Sequence, residues 1–271
     1  MITKHLTQRF GIFAMLVLTF FLSNCAPQKQ LAPVVQVAQP EAPMLPIAEK
    51  TLPRELKWVL QSAEYEAICN IVYQKAWESV KQQASLTNEN WAVVLDIDET
   101  VLTNASYEDT LIRHGKSYPY FWADWVNQGT CPPVPGVKAF LDSVRTLDRA
   151  HVAFITNRKA VFEASTIANL KKENLWGDGD VLLCQIDKKD TKEIRRQEVI
   201  NGSGRCDGNG TRKILALIGD QLGDMDDYEA VSAASSAALV EHYRNHPNWG
   251  VTFFMLPNPV YGDWLGGYGK K

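Results

Sequence analysis

The sequence is short of several things that would define a function at once. It has five cysteines in 271 residues, and no two stand as Cys-x-x-Cys. That spacing argues against a zinc site. It has no basic excess: the formal net charge is -3 and the lysines and arginines are dispersed. Nothing electrostatic therefore favours a nucleic-acid polymer as partner. It has no apolar run of the ~20 residues needed to span a bilayer, and no self-similarity at solenoid or propeller periods. A glycine-rich stretch at 201–212 lacks the Gly-Lys-Ser/Thr that opens a phosphate-binding P-loop helix, and reads as a surface excursion.

What is present begins with a leader. Lys4, His5 and Arg9 precede an apolar run from Phe10 to Leu22, the length of a secretory signal core. The run ends in Leu22-Ser23-Asn24-Cys25, which resembles a bacterial lipobox with Cys25 as the lipidated first residue of the mature chain. Asn24 stands where that pattern prefers a smaller side chain, and the alternative is an ordinary cleaved signal. Ala26 rather than aspartate follows Cys25. In a Gram-negative envelope this favours outer-membrane attachment. The expected organisation is a signal peptide over 1–24, a lipidated cysteine with a Pro/Gln/Ala-rich tether over 25–52, and one domain over 53–271. The tether has too few large apolar residues to build a core. The domain of roughly 220 residues does not.

Outside the cytoplasm, Cys69, Cys131, Cys184 and Cys206 are either paired or buried as free thiols. Cys184 and Cys206 flank one helix-plus-loop unit and are the favoured pair.

Apolar residues recur near helical spacing over 54–85, as one long helix or two. Short unbroken apolar runs follow at 91–95, 152–155, 181–183, 214–218 and 251–256. Helical patterns lie between them at 137–147, 161–174, 191–200 and 226–242. This alternation predicts an α/β fold, a Rossmann-like parallel sheet with helices on both faces. Residues 104–134 interrupt it with Tyr107, Tyr118, Tyr120, Phe121, Trp122 and Trp125. Following the first strand directly, they read as a small cap.

The chemistry lies where the runs end. Leu95 leads into Asp96, Ile155 into Thr156, and Ile218 into Gly219-Asp220. In open parallel sheets the ligand crevice lies beyond the carboxyl ends of the strands. Adjacent strands there bring Asp96, Asp98, Asp220 and Asp224 together. Clustered carboxylates repel, and a hard cation such as Mg²⁺ with all-oxygen ligation relieves them. A calcium loop starting at Asp96 is rejected, because its sixth position is Val101 where glycine is needed.

Asp96-Ile-Asp98-Glu-Thr100 resembles the first motif of the haloacid dehalogenase superfamily. Ile155-Thr156-Asn157-Arg158 resembles the second motif, Lys192 the third and Gly219-Asp220-Gln-Leu-Gly-Asp224 the fourth. Further stretches at 122–126, 135–140, 191–197 and 252–264 are similar to the class C acid phosphatases, the bacterial outer-membrane lipoprotein e family. Gln221 stands where that family usually has asparagine. The resemblance implies an Mg²⁺-dependent phosphatase for small phosphomonoesters, nucleoside 5′-monophosphates among them. Asp96 is the implied nucleophile, Asp98 the acid and base, and Thr156 and Lys192 the phosphoryl donors. Asp96, the backbone carbonyl of Asp98, and Asp220 are the implied metal ligands, with Asp224 water-mediated or paired with Lys192. Asn104, Asn157, Arg158 and Tyr261 are expected at the substrate. The base-stacking tryptophan of nucleotide-cleaving relatives falls near Thr110, which leaves Tyr107 or another cap aromatic to face Tyr261. Two alternatives stand beside it: a non-catalytic surface lipoprotein that keeps the fold for binding or adhesion, and phosphoryl transfer between substrates.

If Cys25 carries the anchor, Cys25→Ser moves the protein from membranes into the soluble extracytoplasmic fraction. Fractionation followed by immunoblotting checks this.

Overall fold

The structure is a computed structural model that describes residues 51–206, 208 and 210–269. The signal, Cys25 and most of the tether lie outside the described residues. No helix among the described residues is long and apolar enough to cross a membrane.

In chain order the elements are α1 (Arg54–Gln61), α2 (Ala63–Ala84), β1 (Trp91–Leu95), α3 (Ala105–His114), α4 (Trp122–Gln128), α5 (Val137–Val144), β2 (Ala150–Lys159), α6 (Glu163–Lys172), β3 (Val181–Gln185), α7 (Lys192–Asn201), β4 (Lys213–Gly219), α8 (Tyr228–Ala233), α9 (Ser236–Arg244), β5 (Phe253–Met255) and α10 (Asp263–Gly266). The five strands form one parallel sheet in the order β3-β2-β1-β4-β5. From β1 the chain moves outward through β2 and β3, then returns to β4 on the other side of β1. The strand order therefore reverses at β1/β4, and the crevice opens beyond their carboxyl ends.

All five residues of β1 are buried, because helices cover both faces of the sheet. The side-chain alternation of the strand divides them. Trp91, Val93 and Leu95 enter a core with Tyr65, Tyr73, Phe140 and Leu141 from α2 and α5. Ala92 and Val94 face the opposite core, with Val199 of α7 and Met225.

The 54–85 stretch is two helices. Ser62 breaks it and caps α2, its hydroxyl accepting from the Tyr65 amide at 3.0 Å. The 226–242 pattern is also split: Ser235 caps α9 through the Ala238 amide at 3.2 Å. The 104–134 insertion holds α3 and α4. Its ends are joined where the Thr103 amide donates to the Pro132 carbonyl and the Val134 amide to the Val101 carbonyl. Tyr107 packs edge-on to Trp122 and also contacts Trp125, so most of the aromatic content of the insertion is its own core.

The four described cysteines are free and buried. The favoured Cys184–Cys206 pairing does not form, for a geometric reason. Cys184 belongs to the core on one face of the sheet and Cys206 to the core on the other. Adding reductant should therefore leave the Tm unchanged, and Cys69, Cys131, Cys184 and Cys206 should all alkylate on unfolding. Differential scanning calorimetry and mass spectrometry read both.

Candidate active site

Five residues after β1 begins, the chain turns sharply. The Ile97 carbonyl accepts from the Val101 and Leu102 amides, and the Asp96 amide is tied to the Ile218 carbonyl of β4 at 3.0 Å. Within the turn Glu99 takes a left-handed conformation (φ 58°), uncommon for a residue with a side chain. The surrounding contacts hold it there: its carboxylate accepts from the Asn104 amide (2.7 Å), the Thr103 hydroxyl (3.0 Å) and the Tyr261 hydroxyl (2.9 Å). The turn projects Asp96 and Asp98 over the strand ends.

Asp220 and Asp224 arrive from β4. A Cβ on Gly219 would lie 2.2 Å from the Asp224 carboxylate, so only glycine lets Asp224 fold back. Arg196 of α7 fastens this loop by donating to the carbonyls of Gly223, Asp224 and Asp226. Thr191 caps the same helix, which brings Lys192 into the site at its first turn. The Lys192 ammonium lies 2.5 Å from both Asp96 Oδ1 and Asp224 Oδ1.

Asp96, Asp220 and Asp224 each offer a carboxylate oxygen, all within 4.8 Å of one another. Three buried carboxylates against one ammonium leave an excess of negative charge. Burial, followed by the neighbouring Asp224 charge, pushes Asp220 up to about 7. Burial also raises Asp96 well above the carboxylate range, with Lys192 opposing it. The two carboxylates hold Lys192 in its charged form, above the usual lysine value, against the burial penalty. An all-oxygen donor set with uncompensated charge fits a hard divalent cation.

The Asp98 side chain belongs to a different set. It accepts from Arg158 Nη2 at 2.8 Å, Arg158 Nε at 3.0 Å and Asn104 Nδ2 at 2.8 Å, with the Thr156 hydroxyl at 3.5 Å. Arg158 is thus buried against Asp98, its guanidinium also over the Trp122 ring.

A cavity of about 520 Å³ collects Asp96, Asp98, Asn157, Lys192, Asp220, Asp224 and Tyr261. Thr156, Arg158 and Asn104 lie behind it, fully or almost fully buried. Arg158 and Asn104, expected at the substrate, instead hold Asp98. The Thr156 hydroxyl accepts from the Arg158 amide at 3.1 Å. Asn157 is held by Arg195, which also donates to the Thr156 and Leu183 carbonyls and so ties α7 to the ends of β2 and β3.

Glu99, Arg195, Arg196 and Asn258 support the site without being among the residues expected there. Glu99 lies inside the first motif, so its position was visible there. Arg195, Arg196 and Asn258 lie inside the family-like stretches at 191–197 and 252–264, but only the fold brings their side chains to Thr156, Asp224 and Asp220.

Carboxylates at the reversal of a parallel sheet, a lysine bridging two of them and a cavity above define a phosphate-processing α/β enzyme of the haloacid dehalogenase type. The chain belongs to the acid phosphatases of haloacid dehalogenase subfamily IIIB, whose family model matches residues 22–264. It is similar to the class C acid phosphatase from Bacillus anthracis, 30% identical, over 78% of this chain and 85% of that one, with a TM-score of 0.68. A second structure of that enzyme, with tungstate bound, is 28% identical over the same shares, also with a TM-score of 0.68.

The buried carboxyls carry a pH signature, Asp96 included, which burial raises well above the carboxylate range. Glu99 is pushed up to about 7 by burial, as is Asp220. Each holds a proton in the fold that it releases on unfolding, between its ordinary value near 4 and about 7. In EDTA, stability should therefore be highest near the acid end of that window and fall as pH rises through 7. Added divalent cation should flatten the fall. Urea denaturation at several pH values measures both.

Proposed function

We infer that this acid phosphatase hydrolyses small phosphomonoesters through an aspartyl-phosphate on Asp96, with Mg²⁺ as its metal. The observation that carries the reading is Asp96 itself, a carboxylate at the floor of the cavity with Lys192 and two further carboxylates around it. The tungstate complex of the Bacillus anthracis enzyme supports it, since tungstate is a tetrahedral oxyanion like phosphate.

The steps follow from the side chains. A carboxylate oxygen of Asp96 attacks phosphorus, and the phosphorus–ester oxygen bond breaks. Asp98 gives its proton to the leaving oxygen. Water then attacks the same phosphorus, Asp98 takes the proton of the water, and the Asp96–phosphorus bond breaks to release phosphate. Lys192 orients Asp96 and keeps a positive charge beside the transferring group. Arg158 and Asn104 hold Asp98 on the leaving-group side. Asp96, Asp220 and the backbone carbonyl of Asp98 would hold Mg²⁺, with Asp224 paired to Lys192 beside it, and the ion would supply charge neutralisation at the phosphoryl group.

Nucleoside 5′-monophosphates are the proposed substrates within this class. The cavity is larger than a phosphoryl group requires, and Tyr118, Tyr228 and Tyr261 line it. Such rings accept a nucleobase with a preference on the order of 1–3 kcal/mol. Tyr107 is buried in the core of the insertion and does not take this part. The domain acts in the cell envelope, attached through lipid on Cys25 and held off the surface by the tether; the lipobox-like sequence supports this placement.

The test is phosphate release from a panel of esters between about pH 4 and 8, by wild type and Asp96→Asn. The expected result is turnover abolished by the substitution and by EDTA, and restored in wild type by Mg²⁺. Turnover of Asp96→Asn within tenfold of wild type would remove the nucleophile assignment, and full activity after verified metal removal would remove Mg²⁺.

A further inference from the structure

Asp220 is held asymmetrically. Gln221 Nε2 donates to its Oδ2 at 2.7 Å, and Asn258 Nδ2 donates to the same oxygen at 2.8 Å. Both amide donors therefore spend themselves on one oxygen, and the remaining oxygen, Oδ1, is left for the carboxylate cluster.

Neither amide stops there. The carbonyl oxygen of Gln221 accepts from the Asp263 amide at 3.2 Å. That of Asn258 accepts from the Val260 and Tyr261 amides at 3.0 and 3.2 Å. The Tyr261 hydroxyl then donates to Glu99, beside Asp98. Gly262 completes the arrangement: its φ is 148°, and a Cβ there would lie 2.5 Å from the Gln221 amide nitrogen. The segment over 256–263 thus closes a hydrogen-bonded ring from Asp220 through the cavity wall to the first motif. Its start is pinned to the sheet by the Leu256 amide on the Gly219 carbonyl at 2.9 Å.

Resting on the reading of Asp96 and Asp220 as cation ligands, we propose that Gln221 and Asn258 make Asp220 a one-oxygen ligand and couple cation binding to ordering of the 256–263 segment. The physical reason is reciprocity. A cation that draws Oδ1 fixes the carboxylate plane, which fixes the two amides on Oδ2, which fixes the segment that carries Tyr261. Ordering of the segment in turn presents the carboxylate to the cation by the same free energy. Gln221 and Asn258 are positioning residues: they touch neither the phosphoryl group nor the cation. The length of Gln221 matters, because one amide must reach both its own neighbour Asp220 and the Asp263 backbone.

The test uses the full chain as wild type, Gln221→Leu and Gln221→Asn, with Mg²⁺ affinity by titration calorimetry and amide hydrogen exchange over 256–263 with and without Mg²⁺. In wild type Mg²⁺ slows exchange in this segment. Gln221→Leu binds Mg²⁺ roughly 10- to 100-fold more weakly, the usual cost of removing such a support, and Mg²⁺ protects the segment less, with Asn258 alone left to relay it. Gln221→Asn, one methylene shorter, keeps the bond to Asp220 but cannot reach Asp263. It retains most of the affinity while the segment exchanges faster, which also guards against a leucine variant that misfolds. Wild-type affinity in Gln221→Leu, or a segment indifferent to Mg²⁺ in wild type, overturns the coupling and leaves the cation reading standing. No Mg²⁺ binding by wild type overturns both.

Discussion

An ammonium group buried between two carboxylates is costly to assemble, because each ion loses its water before it gains its partner. Lys192 makes that bargain with Asp96 and Asp224, 2.5 Å from each. The rest of the site is arranged so that the contact can exist. The cap on Thr191 starts α7 where Lys192 reaches inward. The bare backbone of Gly219 admits the Asp224 carboxylate. Arg196 fixes the loop that carries Asp224. Removing Lys192 would leave three buried carboxylates with no cation from the chain, so the Asp96 carboxylate depends on its lysine.

Two separate electrostatic sets result, and their division is what lets two aspartates two positions apart do different work. Asp96 points into the carboxylate cluster with Lys192. Asp98 points to the opposite side, where the buried guanidinium of Arg158 and the Asn104 amide hold it. The turn that separates them is strained at Glu99, and the three hydrogen bonds to the Glu99 carboxylate offset that strain. One of those bonds comes from Tyr261, far along the chain, so the geometry of the first motif depends on the C-terminal segment.

Much of this was legible in the sequence because it is local. The five apolar runs became the five strands, and the polar residue after each of β1 and β4 stands at the reversal of the sheet, where a crevice must open. The breaks at Ser62 and Ser235 were harder to read, since the apolar spacing continues across both and only the capping hydroxyls mark them. The cysteine pairing failed because sequence proximity says nothing about which face of a sheet a residue enters. That Arg158 and Asn104 hold Asp98 is likewise not legible from spacing. Both Asn157 and Arg158 belong to the second motif, and only alternation along β2 separates them, turning Arg158 inward and leaving Asn157 on the cavity.

Gln221 shows how a departure from a family pattern can be absorbed. An asparagine after Gly219-Asp220 would end one methylene sooner. The longer side chain needs space, and the space is there because residue 262 is glycine, with a backbone no side chain would tolerate and no Cβ to meet the amide. The two positions are separated by forty residues of chain yet occupy one volume. A change at either is therefore felt at Asp220, and through Asp220 in the carboxylate cluster. The cavity wall and the carboxylate cluster share that support, since the same segment carries Tyr261 along the wall and Asn258 against Asp220.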